Sequence, residues 1–279
     1  MIELPDPKSS SAVADWIELH LATSADAISK LELFSIVEHA SGKEPSENFI
    51  NNIWIELLNR QERYCNPLFR VFDKRVESKE NAGSNIEYIV CLILSLFGVP
   101  EEFQNGPKLF ERLSAEVIKR YLNGEVFIFG WPPLEDTPSS IAERVKSACD
   151  CLQENFVESP AARYNDRGVD LISWIPFLDS RSSQCVILAQ CASGTHWKEH
   201  APLPMKSWEQ YIHWACNPIE AFFVPCIVPD KLWHDVSKDN GVLFDRIRIM
   251  NLLGAGIEDQ QLRDELRDWE EQQLQEATI

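Results

Sequence analysis

The chain has 279 residues, 44% of them apolar and 25% charged, which is ordinary for a folded globular protein and excludes a collagen-like, low-complexity or wholly disordered one. Its 26 Lys and Arg against 44 Asp and Glu leave a net charge of −18, a field that repels polyanions and argues against coating nucleic acid by bulk electrostatics. The apolar run Tyr88–Val99 falls short of the roughly 18 residues a bilayer span needs. The first residues lack a basic stretch leading into an apolar one, so a cytoplasmic location without a membrane partner is expected.

In chain order, residues 1–105 read as an all-α N-terminal domain or layer. Apolar residues recur at helical spacing in Ala12–Ala22, Asp26–His39, Phe49–Leu58 and Asn85–Phe97, and Gly98-Val99-Pro100 supplies a stop. Residues 106–256 have a different texture. An amphipathic helix over Lys108–Leu122 ends at Asn123-Gly124, and the β-prone run Glu125–Gly130 follows, closed by Trp131-Pro132-Pro133. A helix is predicted over Ile141–Phe156, strands over Gly168–Phe177 and Gln184–Cys191, a helix over Met205–Cys216 and a strand over Ile219–Val228. Residues 257–279 form a polar helix with eight acids and two arginines, read as a solvated face. Eight cysteines form no C-x-x-C pair and are expected as reduced core thiols. Trp174, Trp197, Trp208, Trp214 and Trp233 are expected to pack in the core.

The polar residues fall into a pattern on this α/β order. Gly168-Val169-Asp170 puts Asp170 just after a turn, at the opening of a strand. Val186–Cys191 is a second strand with Gln190 near its end, and Phe110-Glu111 lies on the helix before the first strand. Order and residues together resemble the restriction-endonuclease-like nucleases, the PD-(D/E)xK superfamily, whose core runs helix, three strands, helix, strand. The resemblance covers about residues 107–228. It implies a metal-dependent nuclease acting on phosphodiester bonds of DNA or RNA, with DNA the first expectation, and a place in a bacterial defence system. Asp170, Gln190 and Glu111 would be catalytic ligands of Mg²⁺, or of Mn²⁺.

One departure from the pattern matters. The superfamily's lysine stands two residues after the second acidic position, one strand period on and so on the same face, and that place holds Ala192. Lys198, on the following element, is the expected replacement, with His200 behind it. Asp170 and Gln190 carry only one formal charge, so Glu111 or Asp166 would complete the site for a hard cation. A basic protein partner or larger complex is expected to bring the polyanion to so acidic a chain.

Two other readings stand beside this one. His196-Trp197-Lys198-Glu199-His200 matches H-x-x-E-H, the inverted zinc-protease signature, which needs both histidines on one helical face. Alternatively, a nuclease-like fold without its lysine serves as a structural or regulatory interaction subunit. No GxxxxGK[ST], GxGxxG or G-x-S-x-G motif occurs.

Overall fold

The structure is a computed structural model and describes residues 4, 7, 9–24, 26–80, 82–98, 105–254 and 256–276. The elements are α1 (Ser10–Thr23), β1 (Ala27–Ser29), α2 (Lys30–Ser41), α3 (Glu47–Arg63), β2 (Phe69–Val71), β3 (Arg75–Ser78), α4 (Ile86–Phe97), α5 (Gly106–Leu122), β4 (Glu125–Ile128) and α6 (Ile141–Leu152). There follow β5 (Asn155–Phe156), β6 (Leu171–Ile175), β7 (Cys185–Cys191), α7 (Met205–Tyr211), β8 (Ile212–His213), β9 (Ile219–Phe223), α8 (Asp230–Asn240), β10 (Val242–Phe244), α9 (Arg246–Leu253) and α10 (Gln260–Glu276). The chain divides into two compact units, Met1–Gly106 with Arg246–Ile279, and Pro107–Asp245.

The first unit is helical, as its spacing predicts, with one addition. A three-stranded antiparallel sheet, ordered β1-β3-β2, interrupts the helices. Its strands are three or four residues long, too short to show a period of two in the sequence. β1 occupies the start of the predicted helix Asp26–His39, and α2 begins only at Lys30, where Ser29 accepts from the Glu32 amide and Glu32 accepts in return from the Ser29 amide.

Helix α1 carries two acids inward, which their partners make tolerable. Asp15 meets Arg60 and Arg246 at 2.6 Å each, and Glu18 meets Arg60 at 2.6 Å. Ser95 and Tyr88 donate to the same two carboxylates. Burial raises the Asp15 pKa, but Arg246 and Arg60 outweigh it and hold the group at about 2. The C-terminal segment, expected by itself at 257–279, belongs to this unit. Leu262, Leu266 and Trp269 of α10 are buried while most of its acids face solvent, the division a helix makes when one stripe packs.

The second unit is a mixed α/β layer. Its five-stranded sheet has the order β10-β9-β7-β6-β4. β4, β6 and β7 pair antiparallel, whereas β7, β9 and β10 run parallel. Along one face, Ile172, Trp174, Val186 and Leu188 pack with Val145, Ala148 and Leu152 of α6 and with Trp208 and Tyr211 of α7. The predicted elements recur with shorter ends. Gln153 adopts a left-handed φ of 57° and stops α6, so Asn155–Phe156 pair instead with β8. β9 ends at Phe223 rather than reaching Val228, because Pro225 cannot donate to a ladder. α8 and β10 were not anticipated.

No helix among the described residues is long and apolar enough to cross a membrane. The cysteines are free, and Cys91 and Cys149 are buried as expected, but Cys65, Cys151, Cys185 and Cys216 are exposed.

Candidate functional site

At the end of the second unit's sheet, four chain segments bring ionisable groups together. The first is α5. Lys108 and Glu111 are three residues apart and share a face of the helix, with Leu109, Phe110 and Leu113 buried around them. Lys108 Nζ lies 2.8 Å from both Glu111 carboxylate oxygens and donates to the Gly130 carbonyl at 3.1 Å. Glu111 is 4% exposed. The second segment is the exit from β4, where Gly130 leaves room for that carboxylate: a Cβ at this position would lie 2.6 Å from either oxygen.

The third segment is the turn into β6. Asp166 accepts from the Gly168 amide through one oxygen at 2.8 Å and from the Trp131 amide through the other at 3.3 Å. Arg167 and Gly168 have φ of 57° and 80°, and this turn delivers Asp170 to the head of the strand. Asp170 Oδ2 accepts from the Cys191 amide at 2.6 Å, while its backbone carbonyl receives the Phe129 and Gly130 amides. The fourth segment is the end of β7. The ladder between the two strands ends at Leu171 and Ala189, and the Asp170 amide donates to the Ala189 carbonyl at 2.9 Å. The Gln190 side-chain oxygen is buried and has no hydrogen-bond partner.

The electrostatics follow from this crowding. Burial pushes Glu111 up to about 7, against the opposing pull of Lys108, and Asp166 adds to the rise. Burial likewise raises Asp170 well above the usual carboxylate range, and the charges of Glu111 and Asp166 raise it further. The Cys191 thiol is pushed up by burial and then by Asp170 and Glu111. Buried Glu111 and the half-buried Asp166 and Asp170 thus crowd one another, with Lys108 bound directly to Glu111. Arg144, fully buried, also faces Asp166 and Glu111 electrostatically. Such a set repels itself and is relieved by a further cation. Glu111, Asp170 and the unpartnered Gln190 oxygen are all hard oxygen donors, the kind that suits Mg²⁺ or Mn²⁺. Among the described residues no group of three or more His, Cys, Asp or Glu is placed so that it could hold a metal ion.

The expected residues divide between this place and another. Glu111, Asp166 and Asp170 come together, while the Gln190 side chain approaches Gly168. Lys198 and His200 lie on the connection after β7, exposed, with the Lys198 ammonium 5.4 Å from the Trp197 ring and His200 beside Phe222. The cation at the carboxylates is Lys108, which the sequence analysis passed over. Its signal was its spacing, one helical turn before Glu111. Ala192, two residues after Gln190, is 1% exposed and packs with Trp197, Phe222 and Val224. The H-x-x-E-H segment forms a three-residue 3₁₀ turn, Trp197–Glu199, and Glu199 is engaged by His196 at 3.2 Å, so the α-helical face that motif needs is not made. The chain matches no protein-family model, no curated protein and no solved structure.

Proposed function

We propose that the second unit is a metal-dependent phosphodiesterase of the restriction-endonuclease-like kind, acting on nucleic acid. One observation carries the reading: Glu111 and Asp170 face each other, with Asp166 and the Lys108 ammonium beside them. The order α5, β4, β6, β7, α7, β9 supports it, as does the switch from antiparallel to parallel pairing at β7. Glu111, Asp170 and Gln190 would hold Mg²⁺ or Mn²⁺. When bound, the ion supplies Lewis-acid polarisation of the phosphate and a more acidic water. Lys108 takes the role that sequence alone gave to Lys198. Its ammonium, fixed between Glu111 and the Gly130 carbonyl, offsets phosphate charge and orients a water by donating to it. Asp166 holds the β6 turn and the Trp131 backbone in place.

A second reading has its own observation. Ala192 is sealed in an apolar cluster, so the family's usual lysine position is closed, and a nuclease-like fold kept as a structural subunit fits that fact. One experiment separates the two. The purified chain is incubated with plasmid and with single-stranded oligonucleotides in Mg²⁺ and Mn²⁺, beside Asp170→Asn, Lys108→Ala and Lys198→Ala. The nuclease reading expects cleavage that Asp170→Asn abolishes, that Lys108→Ala slows by about a hundredfold, and that Lys198→Ala leaves intact. Cleavage that survives Asp170→Asn places the reaction elsewhere, and no cleavage under any condition favours the subunit.

A further inference from the structure

The mouth of this site carries aromatic and cationic groups that the metal chemistry does not use. Trp131 follows Gly130 directly and is 46% exposed, although the other tryptophans of the sheet's apolar face, Trp174, Trp208 and Trp214, are buried. Its backbone is pinned by Asp166. Behind the indole sits the fully buried guanidinium of Arg144, 5.6 Å from the Trp131 ring and 5.1 Å from that of Phe129. Arg144 also donates to the Asn165 carbonyl and to those of Pro138 and Ser139, which ties the Trp131 loop to the β6 turn. The indole is therefore held from behind and open in front.

On the same turn, Tyr164 has the Arg163 and Arg167 guanidiniums 5.1 and 3.9 Å from its ring. Arg163 is exposed, and Arg167 is steadied by Ser207 at 3.1 Å. An open aromatic face, tied through its backbone amide to Asp166, and two arginines within a few residues of Asp166 and Asp170 match the two halves of a nucleotide: a flat base and an anionic phosphate. A base in a duplex is stacked on its neighbours and has no free face to offer, whereas an unpaired base does.

We infer that the site takes single-stranded nucleic acid, with Trp131 as the stacking platform for an unpaired base and Arg163 and Arg167 as phosphate contacts next to the scissile position. This rests on the phosphodiesterase reading for the word scissile, but the binding claim stands apart from it. The test is fluorescence anisotropy with the full chain, using a labelled single-stranded oligonucleotide of DNA, one of RNA, and a blunt DNA duplex of the same sequence, in EDTA and in Ca²⁺.

The expected result is single-strand binding at least tenfold tighter than duplex binding, weakened about tenfold by Trp131→Ala and restored by Trp131→Phe. Arg163→Ala with Arg167→Ala weakens it further, and thermal melts confirm that each variant folds. Equal affinity for duplex and single strand, absence of binding to either strand type, or a folded Trp131→Ala that binds as wild type would overturn the inference. Failure of the two claims is distinguishable. Asp170-dependent cutting that ignores Trp131 keeps the nuclease and removes the platform, while Trp131-dependent binding without cutting does the reverse.

Discussion

Gly130 has almost no freedom to change, because the Glu111 carboxylate occupies the space a side chain would fill. In Gly130→Ala the new methyl, 2.6 Å from both oxygens as built, must push the carboxylate or the strand end aside. A shift on that scale at a group that positions a metal or a water costs about tenfold or more in rate. Mg²⁺-dependent cleavage should therefore fall by at least that factor, with only a small change in melting temperature. Unchanged cleavage would mean that Glu111 does no chemistry. The same crowding bears on a second expectation: the proposed divalent ion, relieving Glu111, Asp166 and Asp170, would bind the folded chain and not the unfolded one. Millimolar Mn²⁺ should raise the melting temperature of the wild type and not that of Asp170→Asn, as read by differential scanning fluorimetry.

At this scale part of the candidate site's geometry was legible in the sequence: the Gly-Val-Asp turn pointed to Asp170 and the Phe110-Glu111 pair to Glu111, and the fold brings these two carboxylates together. Lys108 was not legible for a physical reason. The search for a cation followed the strand from Gln190 to Ala192, while the fold supplies one across the sheet from a helix eighty residues earlier. Trp131 was read only as part of the Trp131-Pro132-Pro133 stop after a strand, and the structure shows its ring left open.

Among the elements, most of the longer helices and the strands β4, β6, β7 and β9 were readable, whereas helix α8 and the strands of two to four residues other than β4 were not. β10 shows how context makes a short strand. Val242–Phe244 pair parallel with Ala221–Phe223, and Phe244 stacks on Phe223 at 4.3 Å, so partners rather than propensity hold it. The turn into β10 depends on Gly241, whose φ of 75° suits glycine and whose Cβ would lie 2.1 Å from the Glu220 carbonyl oxygen. Gly241→Ala should cost roughly 3 kcal/mol, measured as a fall in the urea midpoint without a change in slope.

The helices of the first unit carry a different dependence. Asp15 of α1, lowered from 3.8 to about 2 chiefly by Arg246 and Arg60 against the cost of burial, stabilises the folded state most above about pH 4. That contribution, about 2 kcal/mol, is lost as the pH falls from about 4 towards about 2, because the unfolded chain takes up the proton first. Chemical denaturation at a series of acid pH values should show this slope in the wild type and a flatter one in Asp15→Asn, which is also less stable at neutral pH.

The whole molecule is acidic, but not evenly. Residues 107–245 hold 13 Lys and Arg against 19 Asp and Glu, a net of −6, and the remaining −12 lies in the other unit. Three of those 19 acids, Glu111, Asp166 and Asp170, are the ones gathered at the site. Among the cations placed at the proposed site, Lys108 is already paired with Glu111 and Arg144 is buried, leaving Arg163 and Arg167 to meet a polyanion. Salt dependence measures that number directly. Two phosphate contacts on a single strand give a slope of log K against log salt of about −1.4, and repulsion from the rest of the chain, which salt screens, makes it shallower still. Replacing both arginines by alanine should bring the slope close to zero. A slope steeper than about −3 would require a basic partner surface or a second binding face, because the residues at this mouth cannot release so many counterions.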